Sequence, residues 1–257
     1  MNAIFAGELL RTSSMTPFAR VLGLDLPHGR CVGVALPDDR RDGGAVPAEV
    51  LAALSEEERR HTEQVAPARR ATWVGGRMAL RAAFADLACD PGPILATARG
   101  APRLPPDLRG SISHKQSLAV GIAARAGGLD PGAWHLGIDL ERIVAGHSGI
   151  ARYVLRPEER ERLPSGDGGR RSEELLFVFS AKEAIYKALD PFLKRYVSFR
   201  EVSVERRDDG SAVVTLFLRA GGQDPAAPEA PAAFDVDVRW LRRDDFIITT
   251  ARVSRLP

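Results

Sequence analysis

The run Leu54-Ser-Glu-Glu-Glu-Arg59 returns 101 residues later as Leu155-Arg-Pro-Glu-Glu-Arg160, and Arg69-Arg70 returns at the same offset as Arg170-Arg171. Each arginine pair precedes a long helical pattern, and strand patterns follow each helix. Such self-similarity implies one supersecondary unit written twice. The fold class expected is α+β: two similar α/β halves, each a long helix followed by strands. The turn-rich Gly127-Gly-Leu-Asp-Pro-Gly132 makes a plausible hinge, which gives an N-terminal half at 1–130 and a C-terminal half at 131–257.

Along the chain, residues 1–45 read as strands and turns, with Val32 to Leu36 as an apolar stretch. From Val46 to about Leu87 the pattern is helical. Pro47 lies near its start, Ser55 heads a capping-box run, and Trp73, Met78, Ala79, Ala82 and Ala83 form a stripe. Leu118, Val120 and Ile122 alternate with small residues, as in a half-buried strand. A short helix is expected at Arg156 to Arg160, a long amphipathic one at Ser172 to Leu189, and strands near Ala212–Leu218 and Phe246–Val253.

A chain of 257 residues with 44% hydrophobic and 27% charged residues belongs with soluble globular proteins, and folding should bury roughly 70 to 75% of its surface. Net charge is +2, which gives no general attraction to nucleic acid or anionic membrane. No apolar run approaches the roughly 20 residues of a membrane span, and no export signal is visible. Two cysteines, Cys31 and Cys89, are too few for a disulfide scaffold and too distant to pair on zinc. A reduced, cytoplasmic protein is expected.

Four segments could carry chemistry. In Gly137-Ile-Asp-Leu-Glu141, Leu136, Ile138 and Leu140 share one strand face, while Asp139 and Glu141 share the other, about 6.5 to 7 Å apart. Two such carboxylates can converge on a hard cation; Mg²⁺ takes oxygen ligands and keeps positions open for phosphate. The same pattern also suits an exposed acidic strand face. In the helix from Phe177 to Leu189, Phe179, Ile185, Ala188 and Leu189 can face a core, and Glu183 and Lys187 share another stripe with Lys182 and Tyr186 beside it. A Glu-to-Lys pair at that spacing is commonly a solvated brace. Yet of 36 cations only Lys115, Lys182, Lys187 and Lys194 are lysines, and ammonium can hold a phosphate or pass a proton in ways guanidinium does less well.

Gly110-Ser-Ile-Ser-His114 follows a Pro-rich loop, and its hydroxyls and imidazole can donate to phosphate. Ordinary turn capping, or a serine nucleophile with His114 as base, would use the same residues, although no Gly-x-Ser-x-Gly elbow occurs. Arg70, Arg77 and Arg81 are spaced to share one helical face. They could grip a phosphate bidentately or form a solvated stripe.

Taken in order, Arg69-Arg70…Gly76-Arg77, Gly110-Ser-Ile-Ser-His114, Gly137-Ile-Asp-Leu-Glu141 and Phe179-Ser-Ala-Lys-Glu-Ala-Ile-Tyr-Lys187 resemble the 4'-phosphopantetheinyl transferases of the surfactin and enterobactin type, in the enterobactin-like branch. The resemblance implies an enzyme that moves the phosphopantetheine arm of coenzyme A onto a serine of an apo carrier protein, leaving adenosine 3',5'-bisphosphate. It implies Mg²⁺ held by Asp139, Glu141 and Glu183, with Glu183 also the base for the carrier serine. By the same resemblance Lys187 neutralises or protonates the leaving phosphate with help from Lys182, and Arg70, Arg77, Ser113 and His114 hold the nucleotide phosphates. Leu104-Pro105 departs from the Trp-Pro frequent in this branch, and no role follows for Arg99 or Arg103. Carriers of siderophore, nonribosomal peptide, polyketide or fatty-acid synthesis all fit.

Other classes remain to be tested: a non-catalytic carrier-protein or coenzyme A binding module, and an unrelated Mg²⁺-dependent phosphohydrolase. An RNA binder fits worst, because the basic residues are not interleaved with aromatics. Two halves in one chain imply a monomer.

Overall fold

A computed structural model describes residues 16–37, 45–128, 132–144, 147–166, 168–219 and 234–256. The first half forms a four-stranded antiparallel sheet from β1 (Arg20–Leu26), β2 (Gly29–Ala35), β3 (Leu108–Lys115) and β4 (Leu118–Arg125), in the order β1-β2-β4-β3. The second forms a five-stranded sheet from β5 (Trp134–Arg142), β6 (Val202–Arg206), β7 (Ser211–Leu216), β8 (Phe234–Arg243) and β9 (Phe246–Arg255), in the order β5-β9-β8-β7-β6. The expected α+β architecture, a sheet and a long helix in each half, is what the chain adopts.

The helical stretch after Val46 is three helices rather than one: α1 (Ala48–Ala52), α2 (Glu56–Gln64) and α3 (Pro67–Asp86). Ser55 starts α2 through a capping box, its Oγ accepting from Glu58 N while Glu58 Oε2 accepts from Ser55 N. In the second half α4 (Ala151–Val154) and α5 (Pro157–Arg162) precede the 25-residue α6 (Gly169–Leu193).

The duplication extends to a buried brace. Glu58 is fully buried and accepts from Ile94 N and from Arg81 Nη2 at 2.7 Å. Its counterpart, Glu159, accepts from Val204 N and from Lys182 Nζ at 2.6 Å. Both the glutamates and their cations stand 101 residues apart. In each half, then, a short helix, a long helix and a downstream backbone N–H are tied by one carboxylate whose buried charge is paired.

β4 is not half-buried, as its alternation suggested, but buried on both faces from Leu118 to Ala123. Leu118, Val120 and Ile122 join Leu136, Ile138 and Leu140 of β5 in a core shared by the two sheets. Ala123 faces Leu80, Ala83 and Phe84 of α3. Close approach explains the small residues: a Cβ at Gly121 would strike the backbone of Leu80, and one at Gly137 would strike the Ala184 carbonyl of α6. β6 and β8 were not anticipated from sequence. Of the hinge, Gly127 and Gly128 form a turn with positive φ, and 129–131 lie outside the described residues, as does the Pro/Ala/Gly-rich stretch 220–233. Among the described residues no helix is long and apolar enough to cross a membrane.

Candidate active site

Where the two halves meet lies a cavity of about 1070 Å³, lined by α3, β3 and the loop 96–106 of the first half and by β5 and α6 of the second. β5 runs beneath α6, and its alternation decides what faces where. Leu136, Ile138 and Leu140 enter the core between the sheets, so Gly137, Asp139 and Glu141 take the opposite face. The missing side chain at Gly137 lets α6 descend onto the strand.

Asp139 is buried. Its Oδ1 accepts from Ser113 Oγ at 2.9 Å and from Lys187 Nζ at 2.8 Å, and Lys187 also donates to Ile138 O and Ser113 Oγ. Asp139 Oδ2 is buried with no hydrogen-bond partner, an arrangement that costs free energy unless something else meets that oxygen. Glu141 is buried too, with Oε2 2.6 Å from Lys115 Nζ at the end of β3. Glu183, one turn before Lys187 on α6, faces the cavity. Burial raises its pKa, Asp139 and Glu141 raise it further, and Lys187 opposes them. Glu183 and Lys187 are therefore not a solvated brace, since the lysine is drawn to Asp139.

Among the described residues no three His, Cys, Asp or Glu side chains form a ready metal cage. Instead, ammonium groups lie on two of the three carboxylates. The donor set nonetheless suits a hard divalent cation: every candidate ligand atom is a carboxylate oxygen, and Asp139 presents one without a partner.

The phosphate-binding residues expected from sequence divide. Arg77 lines the cavity, its guanidinium stacked 3.8 Å from the Trp73 ring centroid and its Nε donating to Ile94 O. Burial lowers its pKa to about 10. His114 also lines the cavity; its surroundings, then the Lys187 and Arg69 charges, lower its pKa. Ser113 bridges Asp139 and Lys187 instead, while Ser111 faces the cavity and accepts from Ile138 N.

Two of the expected residues lie away from the cavity. Arg70 does not face this cavity: it donates to the Val65 and Glu63 carbonyls at the end of α2, and lines a separate pocket. The cavity-facing stripe of α3 runs instead through Arg69, Trp73 and Thr72 to Arg77. Lys182 does not join the cofactor-binding group either, because its buried ammonium is spent on Glu159 and the Val154 and Phe199 carbonyls. Two further residues on the cavity wall, with no role assigned from the sequence, are Arg69 and His135. The latter lines the cavity with its ring edge-on to Phe192, and burial, then Arg109, lowers its pKa to about 4. Arg99 bridges the halves, donating to Asp190 Oδ1 at 2.7 Å and to Tyr186 Oη. Arg103 lines the cavity.

Comparison with known proteins places two family models on the chain, the 4'-phosphopantetheinyl transferase N-terminal domain over residues 57–124 and the 4'-phosphopantetheinyl transferase superfamily over 135–247. The 4'-phosphopantetheinyl transferase Svp of Streptomyces mobaraensis is 32% identical over 68% of this chain and 70% of its own length. The 4'-phosphopantetheinyl transferase Npt of Nocardia iowensis is 33% identical, covering 70% of this chain and 81% of its own. Enterobactin synthase component D of Salmonella austin is 30% identical over 61% of each chain.

Proposed function

Because this chain belongs to the 4'-phosphopantetheinyl transferase superfamily, we propose that it transfers the 4'-phosphopantetheine arm of coenzyme A to a serine of an apo carrier protein, releasing adenosine 3',5'-bisphosphate. The observation that carries this reading is the Asp139, Glu183 and Lys187 cluster at the foot of a cavity with arginines along its wall. A polyanion can lie along those arginines while its pyrophosphate reaches the carboxylate and ammonium groups.

Each group has a task the chemistry requires. Arg69, Arg77, Arg103 and His114 bind and orient the nucleotide phosphates. Glu183, with its raised pKa, accepts the proton of the carrier serine directly or through water as the serine oxygen bonds to phosphorus. The bond from that phosphorus to the bridging oxygen breaks, and Lys187 neutralises or protonates the departing phosphate. Asp139, Glu141 and Glu183 would hold Mg²⁺, which supplies charge neutralisation on the pyrophosphate oxygens. Ser113 fixes the Asp139 carboxylate and the Lys187 ammonium relative to each other.

In this reading residues 1–130 form the nucleotide-gripping half and 131–257 the half with the metal-binding strand and the Lys-Glu helix. One chain supplies both, so the active form is a monomer. A cytoplasmic location accords with the free thiols Cys31 and Cys89. Neither nucleic acid nor membrane takes part.

Chromatography of the nucleotide product separates transfer from hydrolysis. Adenosine 3',5'-bisphosphate should appear only when coenzyme A, Mg²⁺ and an apo carrier are all present. Its release at the same rate without carrier would favour a phosphohydrolase.

A further inference from the structure

We propose that Lys115 is a built-in counter-ion, seated on Glu141 until a divalent cation enters, and that it thereby sets how tightly the site takes up metal. The inference rests on the metal reading of Asp139, Glu141 and Glu183.

Lys115 ends β3 at the tip of the β3–β4 hairpin, beside Gln116, whose φ is +49°. That tip is fastened to the second half, because Gln116 Oε1 accepts from Arg142 Nη1 at 2.7 Å and Arg142 Nε donates to Asp245. The fastening delivers Lys115 Nζ to 2.6 Å from Glu141 Oε2. Its neighbour Lys187 is held differently. Lys187 donates to a main-chain carbonyl and a hydroxyl as well as to Asp139, so it keeps neutral partners whatever happens to the carboxylate. For Lys115 the side-chain contact among the described residues is the one to Glu141, and the side chain is already 34% exposed.

Charge balance says which ammonium yields. Three carboxylates face two ammonium groups, one negative charge in excess. A divalent cation reverses that excess, and departure of one ammonium cancels it. Lys115 can leave by turning outward while its backbone stays pinned, at little desolvation cost; Lys187 would abandon three partners. Lys115 and metal then compete for Glu141. A competitor that stabilises only the metal-free protein weakens metal binding by the same factor.

The test uses Mn²⁺ as probe, with free Mn²⁺ counted by electron paramagnetic resonance in the presence and absence of coenzyme A. Lys115→Ala should bind Mn²⁺ about three- to tenfold more tightly than wild type, the factor expected from losing one partly exposed ion pair. Lys115→Arg keeps a competing cation and should stay near wild type. Thermal midpoints give a second readout: Lys115→Ala should be less stable than wild type without metal and equally stable when saturated. Unchanged or weaker Mn²⁺ binding by Lys115→Ala, or a stability gap that survives saturation, overturns the inference. Asp139→Ala distinguishes the two levels. Mn²⁺ uptake by wild type no greater than by Asp139→Ala overturns the metal reading and this inference with it, whereas uptake that needs Asp139 but ignores Lys115 overturns the inference alone.

Discussion

Glu183 has the electrostatic surroundings of a proton acceptor, with burial and two neighbouring carboxylates making its ionised form harder to hold than in water. Glu183→Gln preserves its shape and removes that capacity. Transfer should fall by at least about a hundredfold while the thermal midpoint stays put; wild-type turnover in this variant would contradict the assignment. That Asp139 shares a strand face with Glu141, and Glu183 a helix stripe with Lys187, was legible in the sequence because strand alternation and helical i, i+4 spacing are properties of the backbone. Which of two adjacent arginines enters the cavity was not. One step around a helix swings a side chain by about 100°, and the packing of α2 on α3 decides that Arg69 faces inward while Arg70 caps the Val65 and Glu63 carbonyls. Ser111 and Ser113 divide similarly: they share a strand face, and only the approach of α6 and β5 gives Ser113 to Asp139.

At the scale of elements, the tie between α5, α6 and β6 is the Glu159–Lys182 pair, both side chains 1% exposed. Lys182→Met would leave a buried carboxylate without its cation, and urea denaturation should show a loss of about 3 to 5 kcal/mol. Adding Glu159→Gln removes the buried charge and should recover part of it, with transfer retained by the folded protein. A double variant that is stable but inactive would return Lys182 to the active site. The short helix starts were legible, since Ser55 and Glu58 form the capping box their spacing announces. β8 was not anticipated although Phe234, Val236, Val238 and Trp240 alternate, because the Pro/Ala-rich run before it reads as turns. β6 offers only five residues, defined chiefly by pairing with β7. The partners of Lys182 were hidden for a related reason: a lysine beside Glu183 gives no sign of Glu159 until the tertiary position of that carboxylate is known.

For the whole molecule, the 101-residue repeat foretold two similar halves, while the doubly buried β4 follows from the sheets sharing a core, which no single-strand pattern reveals. His28 helps fasten the halves from the turn between β1 and β2, with Nδ1 2.8 Å from Thr250 Oγ1 and Nε2 3.3 Å from Asp237. Burial lowers its pKa, against the pull of Asp237, and burial lowers that of His135 to about 4. Both imidazoles therefore take up protons more readily in the unfolded chain. Stability is full above the ordinary histidine value of about 6.5 and declines as pH falls from there toward about 4. The urea midpoint should drop across that range, less steeply in His28→Gln, and identical pH profiles for the two proteins would contradict the role given to His28. The central claim is the transfer itself, tested most directly by the intact mass of a purified apo carrier protein after incubation with this chain, coenzyme A and Mg²⁺. The account predicts a mass increase of one phosphopantetheine arm, abolished by a chelator; an unchanged mass across acyl and peptidyl carriers, with coenzyme A still bound, would contradict it.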